Sequence, residues 1–357
     1  MKKIIVLPGD GIGPEVTREA VKVLLAVKKK YGIDFELQEM AIGGQALEKT
    51  GVPLPPETLE SCRKADAVLL GCVGGPQWES NPMPLRPESA LLELRKQLDV
   101  FANLRPAKPF PSLLHKAPLK QELLKDVDLI LVRELTAGIY FGPKERRQFG
   151  ASEKASDVMV YTDFEIERVA RKAFALAQKR KKKLTCVDKA NYLETSRLWR
   201  KVLRSVKGSY PDVELEFMYV DDCALQLAIN PGQFDVILTE NIFGDILSNE
   251  ATALLVGSVG VLPSASLSSE GKTAIFGPIH GPVPELAKQN KANPLGAILS
   301  AALLLRYALE QEEAARAIES AVQVTLENGY RTSELMAPGM KLANTSQWGD
   351  MVAGNLP

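Results

Sequence analysis

Asp245 lies in the stretch NIFGDILSNEA (residues 241–251), where apolar residues flank it on both sides. Burying an unpaired carboxylate costs free energy, so the Asp245 carboxylate needs a cation beside it or the N–H groups of a helix N-terminus. Asp221 closes a predicted strand at 213–221. Mg²⁺ or Mn²⁺, which prefer oxygen ligands, would neutralise both aspartates. Asp245 could instead cap a helix that begins near Gly244, and the residues alone leave both interpretations open.

Arginines supply a second kind of chemistry. Arg95 lies on a predicted helix, Arg105 follows it, and Arg133 ends a predicted strand. The planar guanidinium group binds a carboxylate through paired hydrogen bonds. Each arginine taken singly is more typical of a surface ion pair, but three that converge would suit a substrate with two carboxylates.

Lys189 and Tyr140 could move protons. Lys189 ends a predicted strand at 183–189, and Tyr140 lies between flexible glycines in GIYFG. A desolvated lysine or a positioned tyrosine can act as an acid or a base. Each signal is weak when taken alone.

Alternating strands and helices would position these residues. Apolar runs predict strands at 3–8, 34–40, 66–73, 127–135, 158–162, 183–189, 213–221 and 234–241. Helical periodicity predicts helices at 14–32, 88–98, 165–180, 191–206, 244–256, 296–309 and 312–327. This alternation is typical of an α/β architecture with mixed or largely parallel sheets. The proline-rich stretch 103–118 is interpreted as a crossing between domains.

Composition narrows the class of protein. The 44 Lys and Arg residues balance 44 Asp and Glu residues, so net charge favours neither nucleic acid nor an anionic membrane as a partner. The longest apolar run (295–305) is too short to span a bilayer and predicts a buried helix. Four scattered cysteines are typical of free thiols in a reducing cytoplasm, where we expect the protein to be located. Two histidines are too few for a His-rich zinc site.

The loop GDGIGPEV (residues 9–16) follows a predicted strand and opens a helix. Its spacing is G-x-G-x-G and not the G-x-G-x-x-G of a Rossmann dinucleotide site, and the next strand ends without a convincing ribose-binding acid. The loop therefore favours a tight turn near a bound ligand over a Rossmann phosphate site.

Nine motifs along the chain resemble the isocitrate/isopropylmalate dehydrogenase family, whose members are metal-dependent β-decarboxylating dehydrogenases. They are GGPQW, RPESALLELRK, FANLRP, VRELTAGIYFG, VDKANYLETSRLWR, YVDDCALQL, NIFGDILSNEA, GSVGVLPSASL and KANPLGAILSAALLL. The resemblance implies a two-domain α/β fold with a mixed sheet that is not a Rossmann fold. Residues 1–101 plus 252–357 would form the cofactor-side domain, and residues 102–251 the central domain with the homodimer interface.

The resemblance also implies roles for the residues above. Arg95, Arg105 and Arg133 would bind the substrate carboxylates. Asp245 and Asn249, with Asp221 from a second protomer, would hold Mg²⁺ or Mn²⁺.

Catalysis would follow the family's chemistry. Lys189 of the second protomer, with Asp221, would help to take the proton from the 2-hydroxyl group while hydride passes to the nicotinamide. The 3-carboxylate would leave as CO₂, with the metal stabilising the enolate oxygen. Tyr140 would then return a proton to carbon.

Glu88, Leu91 and Leu92 lie at helical spacing and bear on the choice of substrate. The leucines can take the isopropyl group of 3-isopropylmalate, and Glu88 can lie near the cationic nicotinamide ring. Alternatively, both leucines belong to the core. An isocitrate enzyme needs polar contacts to a third carboxylate here, which leucines do not offer, so we expect 3-isopropylmalate as the substrate, in leucine biosynthesis.

The resemblance implies a nicotinamide dinucleotide site in the first domain, built from Ile12, Gly75, Glu88, His280, Gly281, Glu285 and Asn293. Glu285 can accept hydrogen bonds from ribose hydroxyl groups, and its charge would repel a 2′-phosphate. The expected cofactor is therefore NAD.

Three positions depart from the family pattern. Asn249 stands where a second aspartate is usual, which predicts weaker metal binding or a water-mediated contact unless Glu250 or Asp222 compensates. Gly277 replaces a glutamate, and Ala137 replaces a glycine. If residue 137 had a positive φ, alanine would be disfavoured there. Two alternatives therefore stay open: a dehydrogenase of another 2-hydroxy acid, such as isocitrate, homoisocitrate or tartrate, and a catalytically impaired relative.

Overall fold

The computed structural model describes residues 1–269 and 272–357, and these form two compact units. Unit 1 comprises Met1–Val100, Phe110–Lys116 and Val256–Pro357. Unit 2 comprises Phe101–Pro109 and Ala117–Leu255. Unit 1 is thus assembled from segments far apart in the sequence, whereas unit 2 is almost continuous.

The first part of unit 1 alternates strands with helices. Its elements are β1 (Lys2–Gly9), α1 (Gly13–Tyr31), β2 (Phe35–Glu39), α2 (Gly44–Thr50), α3 (Pro56–Arg63), β3 (Ala67–Cys72) and α4 (Pro87–Gln97). Helix α1 buries Val16, Ala20 and Val23 on one face, carries lysines in its last turn, and ends at Gly32, whose φ of +66° is left-handed. This confirms the helix predicted at 14–32.

Unit 2 contains strands β4 to β10 and helices α5 to α9. They are β4 (Ala102–Ala107), α5 (Gln121–Leu124), β5 (Leu129–Glu134), β6 (Lys144–Phe149), β7 (Ser152–Asp157), α6 (Asp163–Gln178), β8 (Lys183–Asp188), α7 (Glu194–Lys207), β9 (Glu214–Tyr219), α8 (Val220–Ile229), β10 (Val236–Thr239) and α9 (Asn241–Leu255). Strands β5 and β10 are buried along their whole length. The antiparallel hairpin of β6 and β7 instead exposes nearly all of its side chains.

The last part of unit 1 completes its sheet and helical layer. Its elements are β11 (Pro263–Leu267), β12 (Ala274–Pro278), α10 (Leu295–Tyr307), α11 (Glu312–Glu327), β13 (Tyr330–Arg331), β14 (Lys341–Leu342) and α12 (Thr345–Gly354). The apolar run 295–305 is buried in α10, as predicted. Within the described residues, no helix is both long and apolar enough to cross a membrane. The four cysteines are free and buried.

Each unit has a sheet with both parallel and antiparallel pairs. In unit 1 the strand order is β2-β1-β3-β12-β11, parallel except where β11 meets β12. In unit 2 the order is β4-β5-β10-β8-β9, parallel except where β4 meets β5. The predicted mixed α/β architecture is therefore confirmed. Thr239 of β10 pairs with Arg133 of β5 and Val187 of β8, so the carboxyl ends of these strands meet at one edge of unit 2.

The strand predicted at 158–162 is wrong. The Val158 N–H donates to Pro143 O (3.0 Å) and the Gly138 N–H donates to Val160 O (3.0 Å), so the segment runs beside 138–143 through separate hydrogen bonds and not through a ladder. The valine side chains are exposed, and Tyr161 is buried. The apolar run therefore reflected one buried tyrosine and two solvent-facing valines.

The predicted position of Asp221 needs correction, whereas the crossing at 103–118 is confirmed. Strand β9 ends at Tyr219, so Asp221 lies in the first turn of helix α8 and does not close a strand. The stretch 103–118 leaves unit 2 after Pro109 and returns to it at Ala117, which confirms that it crosses between the two units. Its first residues belong to β4, so Arg105 lies on a strand paired with β5. Its prolines hid this strand, because proline is depleted from strand interiors.

Candidate active site

Asp245 lies in the second turn of α9, and three side chains contact its carboxylate. Arg133 donates from Nη1 to Oδ1, Arg105 Nη1 lies 3.4 Å from the same oxygen, and Tyr140 Oη donates to Oδ2 (3.1 Å). The Asp245 side chain is 34% exposed, so it is partly open to solvent. Two guanidinium groups and one phenol therefore converge on one carboxylate.

The alternative that Asp245 caps α9 is wrong. The helix begins at Asn241, so Asp245 lies inside it and not at its N-terminal cap. Two N–H groups of its first turn donate to the Glu240 carboxylate, those of Ile242 (3.2 Å) and Phe243 (2.9 Å). Asp245 is therefore available for other chemistry.

Strands β4 and β5 position the two arginines on one face of the unit 2 sheet. Asn103 lies opposite Arg133 in the ladder, and Arg105 follows Asn103 by two residues, so all three side chains point the same way. The Arg105 side chain is only 11% exposed. Burial, and then the nearby Arg133 charge, lower the pKa of Arg105 to about 10, although Asp245 opposes that shift. Arg105 Nη1 also donates to Ser248 Oγ (2.5 Å).

Tyr140 ends a single 3₁₀ turn that begins at Gly138. The Arg133 guanidinium lies 5.5 Å from the centroid of its ring. Burial, and then the Asp245 charge, raise the pKa of Tyr140, so its hydroxyl group stays protonated near neutral pH and can donate a proton. Gly138 has φ +79°, whereas Ala137 has φ −136°, so the alanine at 137 meets no strain.

Two buried glutamates support this turn and the start of α9. Glu134 accepts from Thr136 N (2.8 Å) and Ala137 N (2.9 Å), and Tyr161 Oη donates to Glu240 Oε2 (3.3 Å). Burial raises the pKa of both carboxyl groups. Sequence reasoning missed both glutamates. The available signal was an acid at the carboxyl end of each of two apolar strand patterns.

Lys189 and Asp221 form a second cluster of unit 2, where the lysine Nζ donates to Asp221 Oδ1. This hydrogen bond holds the pKa of Asp221 below its ordinary value. The ammonium group also lies 5.7 Å from the centroid of the Tyr219 ring. The Asp221 side chain is 66% exposed, so the pair opens onto the surface.

Three loops meet in unit 1 around the residues predicted to bind the dinucleotide. The Ile12 N–H donates to Pro282 O (2.8 Å), next to Gly281. A Cβ atom at Gly74 would lie 2.6 Å from Glu88 Oε1, so the chain before Gly75 passes close to the start of α4. A Cβ at Gly11 would lie 1.9 Å from Pro282 O, which explains why glycine is required there.

His280 and Asn293 lie buried in this part of unit 1, and Glu285 is exposed. His280 Nδ1 lies 3.0 Å from Gly281 O, and Nε2 has no partner in the described part of the chain. Burial lowers the pKa of His280, so the ring is neutral near pH 7. Asn293 donates to Glu334 Oε1 (2.7 Å) and accepts from Leu295 N (3.0 Å). The unpartnered Nε2 fits a site that receives a polar ligand.

Helix α4 carries the remaining predicted residues of unit 1. Leu91 and Leu92 are half-buried, and Glu88 is exposed. Leu91 packs against the buried cluster of unit 1, so the core alternative applies to part of that side chain. Arg95 lies in the last turn of α4.

A model of the isocitrate/isopropylmalate dehydrogenase family matches residues 3–352. The chain belongs to the isocitrate/isopropylmalate dehydrogenase family. It is 54% identical over 357 residues to the 3-isopropylmalate dehydrogenase of Moorella thermoacetica, covering 100% of this chain and 99% of the relative. It is 49% identical over 355 residues to the 3-isopropylmalate dehydrogenase of Aquifex aeolicus, covering 99% and 97%.

Solved structures agree with this family assignment. The isocitrate dehydrogenase of Methylococcus capsulatus has a TM-score of 0.88 at 33% identity, with 100% of this chain and 99% of that chain covered. A β-decarboxylating dehydrogenase of Thermococcus kodakarensis has a TM-score of 0.81 at 35% identity, covering 100% and 96%. The predicted family, fold and class of enzyme, a decarboxylating dehydrogenase, are confirmed.

The dehydrogenase family implies a divalent metal, and the donors near Asp245 fit one in part. Asn249 follows Asp245 by four residues on α9, so the two side chains lie on the same helix face. Both offer hard oxygen atoms, the ligands that Mg²⁺ and Mn²⁺ prefer. Across residues 1–269 and 272–357, no group of three or more His, Cys, Asp or Glu side chains could hold a metal. Asp245 and Asn249 thus offer two oxygen donors on one helix face.

Proposed function

We propose that the chain is a 3-isopropylmalate dehydrogenase of leucine biosynthesis, NAD-dependent and requiring Mg²⁺ or Mn²⁺. It converts (2R,3S)-3-isopropylmalate to 4-methyl-2-oxopentanoate and CO₂. The observation that carries this proposal is the convergence of Arg105, Arg133 and Tyr140 on Asp245. Two guanidinium groups beside a protonated phenol suit a dicarboxylic substrate that loses one carboxylate and then needs a proton.

The choice of substrate rests on α4 and on the relatives. Leu91 and Leu92 are half-buried apolar residues, and an isopropyl group gains free energy by packing on such a surface. The 3-isopropylmalate dehydrogenases of Moorella thermoacetica and Aquifex aeolicus are 54% and 49% identical to the chain. The isocitrate dehydrogenase of Methylococcus capsulatus is only 33% identical. Both comparisons favour 3-isopropylmalate over isocitrate.

Each functional group has a role that its chemistry supports. Arg95, Arg105 and Arg133 bind the two malate carboxylates. Lys189 and Asp221 of a second protomer take the proton of the 2-hydroxyl group, and Tyr140 returns a proton to carbon. When bound, the metal would supply Lewis acidity and NAD would supply a hydride acceptor.

The proposed metal ligands are Asp245 and Asn249, with Asp221 from the second protomer. The proposed NAD site consists of Ile12, Gly75, Glu88, His280, Gly281, Glu285 and Asn293. The buried His280 Nε2, which has no partner among the described residues, supports this assignment. Glu285 would bind the ribose and repel a 2′-phosphate, which favours NAD over NADP.

The exposure of Asp221 supports a homodimer with shared active sites. Leu225 and Ile229, on the same helix α8, and Ile246 on α9 are more than half exposed. Apolar side chains beside a catalytic acid are typical of a surface that meets another subunit. We place the dimer interface in the central segment (102–251) and the enzyme in the cytoplasm, where free cysteines persist.

An assay with a panel of acids tests the proposal. NADH formation is followed with 3-isopropylmalate, isocitrate, homoisocitrate and tartrate, with and without a chelator. We expect the highest kcat/KM with 3-isopropylmalate and NAD, loss of activity with chelator, and recovery on adding Mg²⁺ or Mn²⁺. A higher kcat/KM with another acid contradicts the substrate assignment. Inactivity with all four would identify an impaired relative.

A further inference from the structure

An asparagine amide contacts each of the two guanidinium groups in unit 2. Arg105 Nε donates to Asn103 Oδ1 (2.8 Å), and Arg133 Nε donates to Asn241 Oδ1 (2.9 Å). Both asparagines are only 1% exposed. We propose that Asn103 and Asn241 are positioning residues that fix the rotation of the substrate-binding arginines, an inference that rests on the proposed function.

These two hydrogen bonds decide which edge of each guanidinium faces the site. The group is planar and can bind a carboxylate either through its Nε side or through its Nη end. Because an amide oxygen accepts from each Nε, the Nη end is turned toward Asp245, and both Nη1 atoms contact its Oδ1. A substrate carboxylate is therefore bound end-on, through Nη atoms.

Asn241 has a second task. Its Nδ2 donates to Ala137 O (2.9 Å), at the start of the turn that carries Tyr140. Its backbone N–H donates to Tyr161 Oη (2.9 Å), so the residue is held on two sides. With its oxygen on Arg133 and its nitrogen on Ala137, the amide can adopt only one orientation. Asn241 thus ties a substrate-binding arginine to the proton donor.

The two asparagines lie on different elements, so we expect them to affect different steps. Asn103 lies directly opposite Arg133 on β4, and its amide accepts from Arg105 two residues further along that strand. Asn241 is the first residue of α9, which also carries Asp245. Asn103 therefore affects substrate binding, whereas Asn241 affects both binding and proton return.

The experiment compares Asn103→Ala and Asn241→Ala with Thr325→Val. Thr325 is a buried control on α11 of unit 1, and its hydroxyl donates to Ala321 O (2.7 Å). Calorimetry without NAD gives the Kd of malate and of 3-isopropylmalate, NADH formation gives kcat and KM, and thermal unfolding gives Tm. We expect both alanine variants to raise both Kd values by about 10- to 100-fold. We expect Asn241→Ala to lower kcat by about tenfold or more as well.

Thr325→Val should lower Tm without changing Kd or kcat. Alanine variants whose Kd stays within about twofold of wild type, whatever their Tm, overturn the proposal, because both asparagines would then serve only the fold. If Asn241→Ala does not fold, Asn241→Asp replaces it. That variant keeps the acceptor for Arg133 and loses the donor to Ala137, so kcat must fall and an unchanged kcat overturns the second task.

Malate binding separates this inference from the proposed function. A wild-type protein that binds malate but does not oxidise 3-isopropylmalate contradicts the proposed reaction, while the Kd values of the variants still decide the role of the two asparagines. A wild-type protein that binds neither acid overturns both.

Discussion

Arg133 donates a hydrogen bond from Nη1 to Oδ1 of Asp245, which follows it by 112 residues in the chain. The pair neutralises two charges that would each be costly in a half-buried site. In the proposed reaction the same guanidinium binds substrate and the same carboxylate binds metal. The two residues must therefore exchange partners when the site fills, which links substrate binding to metal binding.

Replacing Asp245 with asparagine keeps the shape of the side chain and removes its charge. We expect the affinity for Mn²⁺ to fall by at least about tenfold and kcat/KM by about 100-fold, because a charged ligand is lost. Titration of Mn²⁺ by electron paramagnetic resonance measures the first quantity. Glu167→Gln, which changes an exposed acid of unit 2, is the control. Unchanged Mn²⁺ affinity in Asp245→Asn would show that Asp245 is not a ligand.

Asn249→Asp tests whether the missing charge weakens metal binding. A second carboxylate on the same helix face should lower the Mg²⁺ concentration for half-maximal activity by about tenfold. Activity is measured across a Mg²⁺ titration for this variant, for Glu250→Gln and for wild type. If Asn249→Asp has no effect and Glu250→Gln raises the Mg²⁺ requirement, Glu250 already supplies the charge.

Tyr140→Phe removes the proposed proton donor. We expect kcat to fall by about 100-fold or more, as for loss of a general acid, while KM changes by less than about threefold. Steady-state assays with 3-isopropylmalate measure both. Tyr210→Phe is the matched control, since Tyr210 stacks on Phe174 with ring centroids 5.1 Å apart. If Tyr140→Phe keeps full kcat, another group is the general acid.

Leu91→Arg should abolish the preference for the isopropyl group. A guanidinium on this helix face would bind the third carboxylate of isocitrate and repel an apolar substituent. We expect the ratio of kcat/KM for 3-isopropylmalate to that for isocitrate to fall by about 100-fold, with Leu92→Met as the volume-conserving control. Because Leu91 also packs on the core, Tm must be measured in parallel. A preserved ratio would place the isopropyl pocket elsewhere.

The pKa of Arg105 predicts how kcat/KM changes at alkaline pH. Its pKa of about 10 in the free protein means that the cation is present below that pH and is lost above it. We expect kcat/KM to fall as pH rises through about 10, since kcat/KM reports groups of the free enzyme.

Deprotonation of Arg105 does not itself destabilise the folded protein, so the expected fall in kcat/KM does not arise from unfolding caused by this group. A base whose pKa is lower in the folded than in the unfolded state makes folding more favourable as pH rises between the two values. Circular dichroism over the same pH range separates loss of the Arg105 cation from unfolding of the protein. A profile that stays flat to pH values well above 10 would contradict the environment assigned to Arg105.

Local patterns predicted the elements whose burial follows the sequence. The strand predicted at 183–189 is β8 (Lys183–Asp188), and the helix predicted at 312–327 is α11 (Glu312–Glu327). The hairpin of β6 and β7 escaped prediction because both of its faces are polar and exposed, so it has no alternation to detect.

The site was predictable at the level of residue type but not of contact. Arg105, Arg133, Tyr140 and Asp245 were chosen for their chemistry, and the structure brings them together. Sequence alone could not show that Asn103 and Asn241 contact the arginines, because those contacts depend on how β4 pairs with β5 and on where α9 begins. Both are set by non-local packing.

The discontinuous make-up of unit 1 has a consequence for protein synthesis. Strand β1 and helix α1 leave the ribosome early, yet β12 and α10 of the same unit are translated only after all of unit 2. Since chains begin to fold as they emerge, unit 2 can complete its sheet while unit 1 still lacks half of its strands and helices. The nascent N-terminal segment must therefore avoid aggregation and proteolysis until residues 256–357 arrive.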